Sequence, residues 1–181
     1  VRATRDELPG DKVAVGIGAI SAVLSVGGTL GLASGYFGGE GGNVLDEDGF
    51  FDTGDVSTID AAGYMQITDR AKDIVKSGGE WISSIEIENI AVAHPAIAIA
   101  ACIGVFHPKW DERPLVAVVL REDSDATPET LREFLSDKVA KWQLPENWTI
   151  IPEVPKTSVG KFDKKRLRST FHDGGLDVTR L

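Results

Sequence analysis

The chain has 181 residues, of which 42% are apolar and 26% charged, and this composition is ordinary for a soluble globular protein. That length holds one domain, or a small domain with part of another, and it allows a real core. The formal charge of -9 argues against a nucleic-acid surface, because phosphate binding needs a positive footprint.

The side chains that most often bind metals are few and scattered. Cys102 is the single cysteine, so no internal disulfide can form, and it stands inside the apolar run 100–105, which predicts a reduced, buried thiol. The three histidines, His94, His107 and His172, lack the spacing of a zinc site. We therefore predict a cytoplasmic protein without a histidine–cysteine metal site.

The first part of the chain is difficult to assign. The chain starts at Val1 and its one methionine is Met65, which indicates a piece of a longer protein. Residues 13–37 carry no charge, and that length can span a bilayer. Their many glycines and hydroxyl side chains favour short buried strands joined by tight turns, so the membrane span is the minor alternative. Acidic residues near the start argue against a signal peptide.

The middle of the chain alternates between turn signals and short strand signals. Residues 35–49 are rich in glycine and acidic side chains and predict a loop. Weak alternation over residues 63–68 predicts a strand. Residues 73–82, with two glycines near the centre, predict a small hairpin.

The first helix is predicted by its start signal. Ser83 followed three residues later by Glu86 matches a capping box, so we expect a helix over residues 83–93. Two apolar runs of strand length follow, at 97–105 and 115–120. A polar loop separates them, and they are expected to pair as antiparallel neighbours.

The last third of the chain predicts a second helix, a strand and a basic terminal helix. Thr127, with proline at the next position, starts the second helix, and apolar residues at helical spacing carry it to Trp142. Residues 148–151 predict a strand, and the basic segment 161–171 follows a loop, with a frayed tail after it. This order predicts an α+β fold with helices over a short mixed sheet.

Four segments carry candidate chemistry, and each also has a purely structural interpretation. Residues 51–55 place two carboxylates beside a glycine turn, able to accept hydrogen bonds from vicinal hydroxyls such as those of ribose. An ordinary acidic turn would look the same. Arg70, in the charged segment 69–73, could fork onto phosphate or ribose oxygens, and a solvated ion-pair cluster is the alternative.

The other two segments lie further along the chain. Gly78 and Gly79 lack side chains, so a thin extended ligand could lie against the backbone there, although a plain hairpin turn explains them equally well. Lys161 follows a glycine in the loop 155–161, and its ammonium ion could stabilise charge building on a phosphorus centre. For four neighbouring cations we prefer the exposed face of a terminal helix: Lys164, Lys165, Arg166 and Arg168.

In this order and spacing, the segments resemble the adenylate-forming superfamily, which includes acyl-CoA synthetases, luciferases and peptide-synthetase adenylation domains. The resemblance covers residues 33–171. It rests on the segments 35–37, 51–55, 69–88 and 155–161. Residues 78–84 and 107–114 are most similar to those of medium- and long-chain fatty-acid–CoA ligases.

The resemblance implies a two-step reaction. A carboxylate attacks the α-phosphate of ATP to give acyl-AMP and pyrophosphate, and the CoA thiol then displaces AMP. Asp55 is implied to bind the ribose hydroxyls, Arg70 to contact the nucleotide, and Lys72 to be the hinge of a rotating domain. Lys161 would enter the site for adenylation. The two-glycine turn at 78–79 would then take its place in the site and lie beside the pantetheine of CoA.

The resemblance divides the chain into four parts: an atypical segment at 1–32 that contains most of the uncharged glycine-rich run, the β-rich end of a large AMP-binding domain at 33–71, a C-terminal lid domain at 72–171, and a tail at 172–181. The phosphate-binding loop, the magnesium-placing motif and most of the acyl pocket are expected in a large domain upstream. We therefore expect Mg²⁺ there, no metal site in this chain, and no acyl-AMP formation by this chain alone. The implied partners are a small carboxylic acid, ATP and CoA.

Other functions stay open on sequence alone. The chain could be a non-catalytic remnant or interaction module, perhaps membrane-associated through residues 13–32, or a truncated product folded only from about Asp55 onwards. It could also be an aryl- or amino-acid-adenylating relative. The acyl chain length cannot be read, because the acid pocket is expected elsewhere.

Overall fold

The computed structural model describes residues 53–181 and the backbone of the strand Ala14–Gly16. Apart from that strand, the predictions made for residues 13–37, for the loop 35–49 and for Phe51 and Asp52 lie outside the described residues. The chain divides into two compact units, Val1–Lys72 and Asp73–Leu181. Each unit is described by itself below.

The described part of the first unit is a three-stranded antiparallel sheet. Its strands are β1 (Ala14–Gly16), β2 (Asp55–Ile59) and β3 (Met65–Arg70), with β2 in the middle. The Asp60 carboxylate holds the β2–β3 turn by accepting hydrogen bonds from the backbone N–H groups of Ala62 and Tyr64, each at 2.9 Å. The strand predicted over 63–68 is confirmed as β3. The sequence did not predict β2, because its five residues neither alternate cleanly nor form an apolar run.

The second unit contains a six-stranded sheet and three helices. Its elements are β4 (Val75–Ser77), β5 (Glu80–Ile82), α1 (Ser84–Val92), β6 (Ile97–His107), β7 (Asp111–Leu120), α2 (Pro128–Ser136), β8 (Asn147–Ile150), α3 (Lys164–His172) and β9 (Thr179–Arg180). The central strand β7 pairs antiparallel with β6 and parallel with β8, and it meets β4 at Ser77 and Asp111. The predicted α+β fold with a mixed sheet is confirmed, as are the 73–82 hairpin and the antiparallel β6–β7 pair.

Both faces of this sheet are buried, and successive residues of one strand therefore serve different cores. Cys102 and Val116 pack in a cluster with side chains of α1 and α2, such as Ile87 and Leu131. Ala101, Ile103, Leu115 and Ala117 belong to a second cluster, which includes Leu167 of α3. Because side chains alternate across a strand, near-continuous apolar runs are what a sheet covered on both faces requires. The prediction that Cys102 is buried is confirmed.

The helix starts follow their sequence signals. The Ser83 hydroxyl accepts a hydrogen bond from the Glu86 N–H at 3.2 Å and caps α1. Thr127 and Thr130 form a reciprocal capping box at the start of α2, with Pro128 at the first helical position. A hydrogen bond from the Thr127 side chain also lowers the pKa of Glu129 below its usual range.

The second helix is shorter than predicted, because it ends at Ser136 and not at Trp142. Leu131 and Leu135 are the buried residues of its apolar side. Beyond them the Arg113 guanidinium, on β7, donates hydrogen bonds to the carbonyls of Trp142 and Leu144. These bonds tie the segment after α2 to the sheet, a contact that the local apolar periodicity does not indicate.

Two further predictions are wrong: the loop at 107–114 and the frayed tail. The polar segment 107–114 is mostly strand, and the turn is short because the His107 Nδ1 accepts hydrogen bonds from the N–H groups of Lys109 and Trp110, each at 3.2 Å. The tail is not frayed, because β9 pairs antiparallel with β8 through Thr179 and Arg180. In neither case do apolar residues mark the pairing, which depends on backbone hydrogen bonds.

Candidate functional site

The two residues predicted to bind nucleotide lie side by side at one end of the β2–β3 hairpin. Asp55 opens β2, Arg70 closes β3, and they are register partners. The Arg70 Nε lies 2.9 Å from the Asp55 Oδ1, and the arginine side chain is 54% exposed whereas the carboxylate is 18% exposed. A carboxylate that accepts and a guanidinium that donates hydrogen bonds thus stand together, as recognition of ribose hydroxyls and phosphate requires. Their binding roles stay predictions.

A neighbouring acidic residue was missed by the sequence interpretation. Asp69 is only 1% exposed. From sequence, its charged segment 69–73 could equally have been a solvated ion-pair cluster. Its Oδ1 accepts a hydrogen bond from the Arg70 N–H at 2.7 Å. Burial of such a carboxylate is costly unless it is hydrogen-bonded, so Asp69 shapes the backbone that presents Arg70. The sequence of this segment has no pattern that marks one of its charged residues as buried.

Lys72 is the last residue of the first compact unit, and Asp73 begins the second. This junction is the place where the sequence interpretation put the hinge. The hinge role of Lys72 and the boundaries of the four predicted parts stay predictions.

The glycines at 78 and 79 form the two-residue turn between β4 and β5. Both have positive φ, 61° and 89°, as a type I′ hairpin turn needs. Gly78 has a second constraint, because a Cβ at this position would lie 2.8 Å from the Trp110 Cε3. The Gly78 N–H also donates to the Trp110 carbonyl at 2.8 Å. The indole therefore packs directly against the glycine backbone.

A cavity of about 240 Å³ opens beside this turn. Its walls are formed by Ser77, Gly78, Trp110, Arg113, Lys141 and Trp142, together with two glutamates. The two indoles offer aromatic surfaces to a planar ring, while the charges of the two cations are balanced by those of the two glutamates. The sequence interpretation named Gly78 as a site residue but assigned no role to Trp110, Arg113, Lys141 or Trp142.

Arg113 is the most buried cation of the cavity wall. Its guanidinium donates to the Ser77 hydroxyl at 3.1 Å and to the Leu144 carbonyl at 2.9 Å, and it lies 3.1 Å from the Glu146 carboxylate. Its Nε is buried and has no hydrogen-bond partner in the described part of the chain. Arg113 therefore fastens the segment after α2 to β4 and β7 and so builds the cavity.

Lys161 lies on a separate tight turn that precedes α3. The turn is closed by a hydrogen bond from the Thr157 N–H to the Lys161 carbonyl at 2.8 Å, by a bridge between Lys156 and Phe162, and by Gly160, whose φ is 80°. The Lys161 side chain is exposed, and its ammonium group has no ion pair with any residue between 53 and 181. An exposed cation on a short, self-closed turn can be presented to an anionic ligand.

Two of the neighbouring cations are not on an exposed helix face, and the prediction for them is wrong. The Lys164 Nζ lies 2.7 Å from the Glu88 Oε1, and Arg168 pairs with Asp73 at 2.9 Å. The Lys164 and Glu88 side chains are only 11% and 13% exposed. Helical spacing of four residues turns Lys164 and Arg168 to one side, which is the side packed on the protein. Lys165 and Arg166 are exposed as predicted.

Two other kinds of feature are absent from the described residues. No group of three or more histidine, cysteine or acidic side chains between residues 53 and 181 could hold a metal ion. No helix in this part of the chain has the length and apolar character needed to cross a membrane.

Comparisons with known proteins agree with the motifs. Residues 86–161 match the family model of the AMP-binding enzyme C-terminal domain. The chain is 56% identical over 129 residues to a 3-methylmercaptopropionyl-CoA ligase of Ruegeria lacuscaerulensis, covering 71% of this chain and 24% of that enzyme. It is 50% identical over 138 residues to a medium-chain-fatty-acid–CoA ligase of Ectopseudomonas oleovorans, covering 76% and 25%.

A solved structure gives the same result for the fold. The crystal structure of ATP-bound MatB from Rhodopseudomonas palustris matches with a TM-score of 0.67 at 32% identity, over 72% of this chain and 26% of that one. The chain thus spans about a quarter of the length of the relatives it matches. The chain belongs to the adenylate-forming, AMP-binding superfamily and corresponds to the carboxy-terminal portion of those enzymes.

Proposed function

We propose that this chain acts as the carboxy-terminal part of an ATP-dependent fatty-acid–CoA ligase. The observation that carries the proposal is the Lys161 turn. It presents an ammonium ion without an ionic partner among the described residues, at the last residue of the segment that matches the family's C-terminal domain. A free cation of this kind can stabilise charge that develops when a carboxylate attacks a phosphorus centre.

In the proposed first step, the oxygen of the acid's carboxylate forms a bond to the α-phosphorus of ATP, and pyrophosphate leaves. Lys161 lowers the barrier by neutralising negative charge on the oxygens around that phosphorus. Asp55 accepts hydrogen bonds from the ribose hydroxyls, and Arg70 orients the Asp55 carboxylate while its remaining N–H groups face the nucleotide. The product is acyl-AMP.

In the proposed second step, the CoA thiol attacks the acyl carbonyl and AMP leaves. The Gly78–Gly79 turn is proposed to lie along the pantetheine, because the missing side chains allow close approach. The cavity beside Gly78 supports this role, since Trp110 and Trp142 offer aromatic surfaces and Lys141 a cation near the same turn. Rotation at Lys72 would exchange the Lys161 turn for this face between the steps.

Magnesium is proposed to be held by a large domain of the complete ligase. The phosphate loop and the acid pocket are proposed to lie in that same large domain. Adenylation by this chain alone is therefore not expected.

The test supplies this chain, beside or fused to the large domain of a medium-chain ligase, and measures ATP–pyrophosphate exchange. Lys161→Ala should lower exchange by about 100-fold or more, the usual size of losing one electrostatic stabiliser. Lys165→Ala is the matched control, because Lys165 is an exposed lysine only four residues away. Exchange that survives Lys161→Ala would remove the assigned role, and no exchange with any acid would favour a non-catalytic module.

The acid itself is tested by the same assay across substrates, with this protein's own large domain in place of the borrowed one, because the acid pocket is proposed to lie there. We propose a fatty acid, and a panel of short thioether, medium-chain, long-chain, aryl and amino acids separates this from the aryl- or amino-acid-adenylating alternative. Preference for an aryl or amino acid would contradict the fatty-acid proposal while leaving the adenylation chemistry intact.

A further inference from the structure

The buried ion pair between Lys164 and Glu88 joins two helices that lie on opposite faces of the sheet. The α1 helix packs in the cluster with Cys102 and Val116, and α3 packs in the cluster with Ala101 and Leu115. The two helices meet at the outer edge of β6, which pairs only with β7 among the described strands. The ion pair bridges them around that edge.

Glu88 is the centre of this bridge. Its Oε1 accepts a hydrogen bond from the Cys102 N–H at 2.7 Å and from the Lys164 Nζ at 2.7 Å. The Lys164 Nζ also donates to the hydroxyl of Ser84 at 2.8 Å. The carboxylate thus satisfies an N–H on the strand edge and the charge of the lysine at once, and it needs both partners because it is nearly buried.

The bridge is connected to Lys161 through very few residues. Asp163 follows the Lys161 turn directly, and its N–H donates to the Pro155 carbonyl at 2.8 Å, which closes the base of the turn. The Asp163 side chain accepts from the Arg166 N–H at 2.9 Å and caps α3. Lys164 is the first residue of α3. The ion pair therefore holds the residue at which the turn joins the helix.

The two-glycine turn is held mainly by contacts outside this bridge, although Lys164 also reaches Ser84, two residues after β5. It is carried by the β4–β5 hairpin and by the contact of Ser77 with Asp111 on β7. Loss of the Lys164–Glu88 pair should therefore affect the Lys161 turn and leave the Gly78–Gly79 turn in place.

We propose that Lys164, through its pair with Glu88, is a positioning residue that holds the Lys161 turn for the adenylation half-reaction. The effect on adenylation by Lys161 rests on the function proposed above, whereas the effect on the rigidity of the turn does not. A loosely held lysine would reach the phosphorus centre in fewer of its conformations, and displacement by about 1 Å can cost up to 100-fold in rate.

The first test uses hydrogen exchange, followed by mass spectrometry, on the 181-residue chain. In Lys164→Met, amides of residues 156–163 should exchange about tenfold faster than in the wild type, while residues 75–82 and α2 stay unchanged. Lys165→Met is the matched control on the same helix and should exchange like the wild type. Lys164→Arg should restore most of the protection.

A double variant covers the case in which Lys164→Met unfolds because Glu88 is left as an unpaired buried charge. Glu88→Gln with Lys164→Met removes both charges and keeps an acceptor for the Cys102 N–H. Faster exchange confined to residues 156–163 in this folded variant supports the proposal. Unchanged exchange there overturns it.

The second test measures the two half-reactions with a large domain supplied. The double variant should lose about tenfold or more in kcat for ATP–pyrophosphate exchange, with the KM for ATP little changed. Thioester formation from supplied acyl-AMP should change less than about threefold, since it uses the two-glycine turn. Equal losses in both half-reactions would indicate a merely structural pair. If the wild type shows no exchange, the proposed function fails, while the hydrogen-exchange result still decides whether the pair holds the turn.

Discussion

Substitution of Gly78 by alanine should destabilise the second unit through two separable effects. Holding a residue with a Cβ at a φ of 61° costs about 1–2 kcal/mol. The new Cβ would also lie 2.8 Å from the Trp110 Cε3 and 3.3 Å from the Cζ3, so the indole must move. Overpacking of this kind typically costs a further ~1–3 kcal/mol, which gives a total of about 2–5 kcal/mol for Gly78→Ala.

Gly79→Ala is the matched control, because it changes the same turn without the clash. Its φ is 89°, and nothing lies within 4 Å of a Cβ built there. Only the backbone cost of about 1–2 kcal/mol is expected for Gly79→Ala. The difference between the two variants therefore isolates the contact with the indole.

The measurement is urea unfolding followed by tryptophan fluorescence. The chain has four tryptophans, Trp81, Trp110, Trp142 and Trp148, and all of them lie in the second unit. Fluorescence thus reports the unfolding of that unit alone. A double-mutant cycle with Trp110→Ala should show that alanine at 78 costs less once the indole is gone. Equal free energies of unfolding for Gly78→Ala and Gly79→Ala, with no coupling to Trp110, would refute this reasoning.

Three further changes have expected outcomes. Thr127→Ala should lower the free energy of unfolding by about 1 kcal/mol through loss of the α2 cap, and it should raise the pKa of Glu129 toward its usual value in an NMR titration. Leu167→Ala should cost about 2–5 kcal/mol in urea unfolding, because the side chain is fully buried between α3 and the sheet. Arg113→Met should cost about 3–5 kcal/mol by the same method, because Glu146 and two carbonyls lose their donor. As its control, replacement of the exposed Arg166 by methionine should change the free energy of unfolding by less than about 0.5 kcal/mol.

The fold was predictable wherever local chemistry agreed with the tertiary structure. The hairpin at 73–82 has two glycines at the positions that require positive φ, and the helix starts at Ser83 and Thr127 have their capping hydroxyls. These signals depend on neighbouring residues only. The path of the segment after α2 was not predictable in this way, because Arg113, which is far away in sequence, binds the carbonyl of Trp142.

The candidate site was predictable in its motifs but not in its supporting contacts. Gly78 can be recognised as a turn residue from sequence, yet only the structure shows that Trp110 packs against it. Likewise Asp69 looks like one more surface charge in its segment, although it is buried. Contacts of this kind join residues that no local period relates, so pattern reasoning has no access to them.

The cations around α3 show how one basic segment is divided between structure and chemistry. Lys164 and Arg168 are four residues apart on the helix, so both face inward, where Glu88 and Asp73 neutralise them. Lys161 precedes the helix and therefore does not share that face, and its turn is closed by backbone bonds that leave the side chain outside. A lysine already neutralised by a buried carboxylate would have little charge to offer a phosphoryl group. The same helix that anchors the turn through paired cations thus leaves the charge of Lys161 available for a ligand.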